Sequence, residues 1–325
     1  MPGLPLIEIV TPTPEANNGN GHTARRWARC IAQDARVRVE PAWSGAPVDA
    51  LIALHAYKSA PSIARFRAAF PERPIALVLT GTDLYRDLAR EPRAQAALAS
   101  ASHWVVLQQE AVARLPAWGR ERVWVIEQSA TRLVRAERTR RWFDFIAVGH
   151  LRDVKDPQVL MRAARLLPAL WTHALAPRVL HVGAALQPRW ADAATRAMAE
   201  MPHYRWLGAL PQGTTRQRLA RSRALVHMSR MEGGAHVVIE ALRSRVPVLA
   251  SRIDGNVGLL GRDYDGLFPV GDAAALARLM CRYATDTAFA AHLAAQCAAR
   301  EARFAPKVEA ARVRALVAQL LADRR

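Results

Sequence analysis

The chain has 325 residues, length for about two domains of ordinary size. Hydrophobic residues make up 51%, charged residues 23%, and the mean hydropathy is close to zero, which excludes a disordered chain; no apolar run reaches 18 residues, which excludes a membrane-spanning helix. The formal net charge of +18 raises nucleic-acid binding, but no block of five or six cations occurs, so a solvated basic surface is the expectation.

In chain order, short apolar runs alternate with amphipathic stretches. LIEIV (6–10) reads as a buried strand, and 23–35 as a helix with Trp27, Cys30 and Ile31 at i, i+3, i+4 spacing. Strand-like runs follow at 37–39, 50–54, 75–79, 104–107 and 123–126, with helical segments at 62–70, 93–99 and 109–115. This is β-α-β alternation, which predicts a parallel sheet covered on both faces. An arginine-rich stretch without period, 132–142, is the predicted linker. The alternation then restarts with strands at 145–148, 178–182, 204–207, 224–228 and 246–250 and a helix at 157–167. The expected fold is α/β: two Rossmann-like, doubly wound parallel-sheet domains facing across a cleft. Residues 1–131 form the first domain and 143–302 the second; 303–325 form a C-terminal helix able to pack back on the first. Such sheets take ligands at the C-terminal ends of their strands.

The strongest chemical signal is SRMEGGAHVVIEALRSRVPVLAS (229–251), between two strands. Glu232 and Glu240 are a little over two helical turns apart, so both can lie along one side of a helix predicted to start near Gly234. Gly233 and Gly234 let backbone approach a ligand closely, and a helix N-terminus presents free N–H groups to an anion. Glu232-x7-Glu240, with Ala241, Pro247 and Val248, resembles the E-x7-E signature of retaining GT-B glycosyltransferases. That resemblance implies that Glu232 contacts the donor sugar and Glu240 the ribose hydroxyls of its nucleotide, with Ala235 and His236 beside them.

VGHLRDVKDP (148–157) leaves a strand and enters a helix. The family places Gly-Arg-Leu, three residues, then Lys here to hold the donor diphosphate. Gly149, Leu151 and Lys155 match, His150 replaces the Arg, and Arg152 stands two residues on to supply the charge. Fixed cations stabilise the negative charge of a departing diphosphate.

NNGNGHTARRW (17–27) reads as a loop with Gly19, Asn20 and Gly21. Its backbone N–H groups, with His22, Arg25 and Arg26, suit phosphate oxygens. Gly19-x-Gly21-x-x-Ala24 also mimics a dinucleotide fingerprint, the mark of an NAD-dependent oxidoreductase. Residues 12–18 intervene after the strand, which argues against that alternative.

The matches Gly19-Asn20-Gly21-His22-Thr23, Leu54-His55-Ala56, Thr80-Gly81-Thr82-Asp83-Leu84-Tyr85 and Gly149-His150-Leu151 with Lys155-Asp156-Pro157 resemble a narrow branch of the same family, the selenosugar synthases of the selenoneine pathway. The resemblance implies joining of a UDP-sugar, UDP-N-acetylglucosamine, to selenophosphate, giving a 1-seleno sugar with release of UDP and phosphate. An anionic selenium nucleophile needs cations to hold its phosphoryl group rather than a strong base. His22, Thr23, Arg25, His55, Lys58, Thr82 and Asp83 are the acceptor-binding candidates, Asp83 being equally readable as the N-cap of a helix beginning at Leu84. His22, Arg152, Lys155 and Glu232 are the catalytic candidates, and the donor-binding set is Gly19, Asn20, Gly21, Gly149, His150, Arg152, Lys155, Glu232, Gly233, Gly234, Ala235, His236 and Glu240. The alternative is a GT-B relative that glycosylates a lipid or small-metabolite hydroxyl, which would want a general base.

Neither cofactor nor metal is expected, the UDP-sugar being a co-substrate. Asp263-Tyr264-Asp265 reads as a turn rather than a metal site, and His181, His227 and His292 as packed or exposed side chains. The expected partners are UDP-sugar and selenophosphate, not nucleic acid and not membrane; oligomeric state is not legible. MPGLPLIEIV has neither basic leader nor long apolar stretch, and Cys30, Cys281 and Cys297 form no CxxC pair, so a reducing, cytoplasmic setting is expected.

Overall fold

The computed structural model describes residues 4–12, 14, 19–133 and 137–324. Parts of the predicted 12–18 loop and of the 132–142 linker (13, 15–18 and 134–136) lie outside the described residues. The chain divides into two units: Met1–Ser129 with Glu232–Gly234 and Pro306–Arg325, and Ala130–Met231 with Ala235–Ala305.

In the first unit, β1 (Leu6–Val10), β2 (Arg36–Glu40), β3 (Ala50–Leu54), β4 (Ile75–Leu79), β5 (His103–Val106) and β6 (Val123–Val125) form a parallel sheet in the order β2-β1-β3-β4-β5-β6. The runs IALVL and ALIAL are buried along their whole length, as a sheet covered on both faces requires. Alternation then divides each strand between two cores. Leu51 and Ala53 pack under α2 (Ala56–Ala69) and α3 (Pro92–Ser100) with Ile63, Phe66 and Leu98. Ala50, Ile52 and Leu54 pack under α1 (Gly19–Ile31) and the C-terminal helix with Trp27, Ile31, Leu316 and Leu320.

In the second unit, β7 (Trp142–Val148), β8 (Ala176–Val182), β9 (Tyr204–Trp206), β10 (Ala224–His227), β11 (Val248–Ser251) and β12 (Leu267–Phe268) pair in the order β12-β11-β10-β7-β8-β9. Counted within the unit this is 3-2-1-4-5-6, the doubly wound order, with its reversal between β7 and β10. Helices α4 (Pro157–Leu170), α5 (Pro188–Glu200), α6 (Gln212–Arg221), α7 (His236–Arg243), α8 (Asp254–Leu260), α9 (Ala273–Thr285) and α10 (Thr287–Arg300) cover this sheet, and α11 (Pro306–Ala322) returns to the first unit.

Three sequence expectations change. Residues 19–23, read as a loop, are the first turns of α1, where the Thr23 hydroxyl donates to Gly19 O (2.8 Å) one turn back. Helix α2 starts at Ala56 and runs through Pro61, six residues ahead of its predicted start. Helix α7 starts at His236, so Glu232 precedes the helix rather than riding on it.

Candidate functional site

In the second unit the chain leaves β7 at Val148 and β10 at His227, neighbouring strands at the reversal of sheet order. The carboxyl ends of such a pair diverge and leave a crevice for a ligand. Gly149 N–H donates to Val182 O (2.9 Å) and Leu151 N–H to Ala184 O (2.8 Å), which extends the β7–β8 pairing past the strand ends. His150 Nδ1 accepts from Ala184 N–H (3.1 Å). His150 therefore fastens this loop to its neighbour. Gly183 makes the approach possible, since a Cβ there would lie 2.0 Å from Gly149 O.

Lys155 ends a short 3-10 turn (Asp153–Lys155) and curls back over Gly149: a Cβ on that glycine would stand 3.6 Å from Lys155 Cδ, ordinary contact. The buried Asp156 follows with left-handed backbone (φ 48°). Arg230, from the loop after β10, places Nε 2.7 Å from Asp156 Oδ2 and donates its N–H to Val154 O (2.9 Å), tying the two loops together. Arg152 is exposed, and its neighbour Asp153 is held by Arg189 and by Trp190 Nε1 (3.1 Å). On α7, Glu240 is 7% exposed; Arg216 Nε of α6 lies 3.4 Å and His236 Nδ1 3.7 Å from Glu240 Oε1. Arg216 also donates to Thr131 O (2.6 Å), which fixes it beside the carboxylate. Ala235, before the helix, is buried.

Glu232–Gly234 belong to the first unit by their contacts. A Cβ on Gly233 would lie 2.4 Å from Thr80 O, and one on Gly234 2.9 Å from Leu107 Cβ. The protein's own chain therefore already requires glycine at both positions. Glu232 is half-buried.

The first unit brings the other candidates into two groups. On α1, Gly19, Asn20, Gly21, His22, Thr23 and Arg25 share the first two turns. Arg25 donates to Pro14 O and stands 3.5 Å from His22 Nδ1; Gln128 Nε2 donates to the Thr23 hydroxyl (2.6 Å). Burial, then the charges of Arg25, Arg26 and Arg29, holds the His22 imidazole below its usual range. The second group follows β3 and β4. His55 is buried, with Nε2 3.2 Å from Thr82 Oγ1. Asp83 is fully buried: Oδ1 takes the N–H of Gly81 (2.8 Å) and Thr80 (3.0 Å), and Oδ2 that of Ala56 (3.0 Å). Its carboxylate thus builds the turn and receives the first N–H of α2; it does not cap a helix at Leu84, since Asp83 lies inside the short helical segment Asp83–Asp87 and Thr82 holds its N-cap position. Lys58 is exposed on α2.

Arg216, Arg230 and Asp87 were not singled out in the sequence. Arg230 stands two residues before Glu232 and Asp87 one turn after Asp83, so proximity to a motif was their only signal; Arg216 had none. Among the described residues no group of three or more His, Cys, Asp or Glu could hold a metal ion, and no helix is long and apolar enough to cross a membrane. Asp263 and Asp265 pair with Arg300 (2.8 Å) and His292 (2.7 Å).

The architecture is the GT-B fold: two six-stranded parallel sheets, each flanked by helices. Residues 143–300 match the profile of the family described as glycosyl transferases group 1. Similar solved structures include HepE of Anabaena in complex with UDP and glucose (15% identity, TM-score 0.77, covering 97% of this chain and 100% of that one). Sucrose-phosphate synthase of Thermosynechococcus elongatus is similar over 98% of this chain and 99% of its own (16% identity, TM-score 0.79). The lipopolysaccharide outer core galactosyltransferase WaaB is similar over 97% and 99% (12% identity, TM-score 0.71). No curated protein matches.

Proposed function

We propose that the protein transfers a hexosyl group from a UDP-sugar, with UDP-N-acetylglucosamine as donor and selenophosphate as acceptor. The observation that carries the donor half is the pair of loops at the β7–β10 reversal: one folds Lys155 over Gly149, the other leads to the buried Glu240 beside Arg216. HepE, of the same fold, has been solved with UDP-glucose. In this reading segment 143–302 holds the donor. Lys155 and Arg152 neutralise the diphosphate as the C1–O bond breaks. Glu240 accepts hydrogen bonds from the ribose hydroxyls, and Glu232 contacts the hexose. Gly19, Asn20 and Gly21 offer first-turn N–H groups to phosphate oxygens.

The acceptor half draws on 1–131, where His22, Thr23, Arg25, His55, Lys58 and Thr82 supply polar contacts and Asp83 shapes the turn that carries Thr82. Selenium attacks C1 and forms the C–Se bond, UDP departs, and water then cleaves the Se–P bond to release phosphate. The selenophosphate assignment rests on the motifs at 19–23, 54–56, 80–85 and 149–157. Mass spectrometry of the purified protein with UDP-N-acetylglucosamine and selenophosphate tests it. UDP, phosphate and a selenium-containing hexosamine are expected. UDP without that product removes the acceptor assignment, and no UDP with any acceptor removes the donor assignment.

A further inference from the structure

In the first unit the sheet order reverses between β1 and β3, and the residue that leaves β3 there is His55. Its backbone has positive φ (φ 77°, ψ 103°), a conformation strained for a non-glycine residue. Three hydrogen bonds hold it so: His55 N–H to Val78 O (2.9 Å), Ser59 N–H to His55 O (3.0 Å) and Ala56 N–H to Asp83 Oδ2 (3.0 Å). Strain held this firmly at a strand's carboxyl end marks a side chain whose direction matters.

The His55 ring is 3% exposed as part of its residue, with Nε2 3.2 Å from Thr82 Oγ1 and 3.9 Å from Asp87 Oδ2. Asp87 Oδ1 takes the Arg86 Nε–H (2.8 Å). The Thr82 hydroxyl can accept from Nε2, and the Asp87 carboxylate, at 3.9 Å beyond hydrogen-bond reach, favours by its charge the tautomer with hydrogen on Nε2; in that tautomer Nδ1 keeps a bare lone pair. Nδ1 is buried and finds no hydrogen-bond partner among the described residues. A buried acceptor left so is destabilising, and a hydroxyl donor would relieve that cost.

We infer that His55 Nδ1 accepts a hydrogen bond from a hydroxyl group of the second substrate, and that Asp87 is the positioning residue that holds the ring in the required tautomer. This rests on the glycosyl-transfer reading above. The hydroxyl is either the P–OH of a protonated phosphoryl anion or the O–H of an alcohol. Neutrality of the ring is consistent with its surroundings. Burial lowers the His55 pKa most; Asp83 and Asp87 oppose that, while Lys58 and Arg86 add to it. On acidification Nδ1 gains a proton and becomes a donor, so second-substrate KM should rise on the acid side. Asp87→Asn removes a charge that favours the protonated ring, so that limb should move to lower pH, while KM at neutral pH rises.

Two measurements on the full chain test this. Nitrogen-15 NMR of histidine-labelled protein, with the signal assigned by loss in His55→Asn, should show hydrogen on Nε2 and a bare Nδ1 at pH 7.5, and selenophosphate or glycerol, added in parallel samples, should move the Nδ1 resonance; hydrogen on Nδ1, or no shift with either, overturns the inference. In kinetics, His55→Phe should raise second-substrate KM about tenfold, while His55→Asn, whose side-chain oxygen sits near the Nδ1 place and which tolerates left-handed backbone, stays close to wild type. UDP affinity should be unchanged in both. Equal KM values for the two variants overturn the inference. Wild-type protein that releases no UDP with any acceptor overturns the underlying reading and leaves the tautomer to decide this one.

Discussion

Gly183→Ala is expected to damage the proposed donor site without substituting any residue assigned to it. The backbone at Gly183 has φ 150°, and an added Cβ would lie 2.0 Å from Gly149 O, 2.5 Å from Gly149 C and 2.9 Å from His150 N. All three are backbone atoms of the loop that leads to Lys155, so no side chain can rotate away. Relief requires the two segments to part by about 1 Å, an overpacking cost of roughly 1–3 kcal/mol, to which the strained φ adds about 1–3 kcal/mol. The variant should therefore lose about 2–6 kcal/mol of stability in urea denaturation followed by tryptophan fluorescence. Displacing the loop also misplaces Lys155, so calorimetric UDP titration should show affinity reduced about 10- to 100-fold in the protein that remains folded. Gly149→Ala is the control for stability alone, since its Cβ would make only ordinary contact with the Lys155 side chain, Cδ at 3.6 Å being nearest. Wild-type stability and UDP affinity in Gly183→Ala would refute the claim that this close approach shapes the site.

Glu240→Gln keeps the side-chain shape beside Arg216 but exchanges charged for neutral hydrogen bonds, so UDP binding should weaken about tenfold or more by calorimetry while the circular dichroism spectrum holds; unchanged affinity removes Glu240 from the ribose role. Glu309 of α11 is buried and receives Arg26 Nε (2.7 Å), Trp27 Nε1 (2.9 Å), Ser129 N–H (2.8 Å) and Ser129 Oγ (2.5 Å). Glu309→Ala strands those donors and should cost about 3–5 kcal/mol in urea denaturation; a loss below about 1 kcal/mol contradicts the geometry. His181, buried and hydrogen-bonded to the Tyr204 hydroxyl (2.9 Å), has its pKa lowered by burial to about 4. The unfolded chain binds the proton first, so stability is fully present above the unfolded pKa near 6.5 and falls as pH drops towards 4, by about 3 kcal/mol. Urea midpoints from pH 4 to 7 should show that loss in wild type and a smaller one in His181→Gln.

The strands were largely legible because parallel strands buried on both faces, such as 50–54 and 75–79, are written as unbroken apolar runs. The two-residue β12 was too short to leave a pattern. The start of α1 was misread because Gly19, Asn20 and Gly21 have weak helix propensity; in the structure the Thr23 hydroxyl bonds back to Gly19 O, and Gln128, more than a hundred residues away, holds Thr23 in turn. In the candidate site the glycines and the Glu pair were legible as a spacing, but not their neighbours. Arg216 reaches Glu240 from another helix, and Asp87 approaches His55 across two loops, so both pairings exist only after the sheets form. The purpose of Gly233 was legible as closeness but not as closeness to what: its neighbour is Thr80, far away in sequence.

The most direct test of the central claim is a crystal structure of the full chain with UDP. The account predicts the diphosphate at Gly149 and Lys155, where the chain leaves β7, and the ribose hydroxyls on Glu240. A nucleotide bound anywhere else, with Lys155 and Glu240 out of its reach, would contradict it.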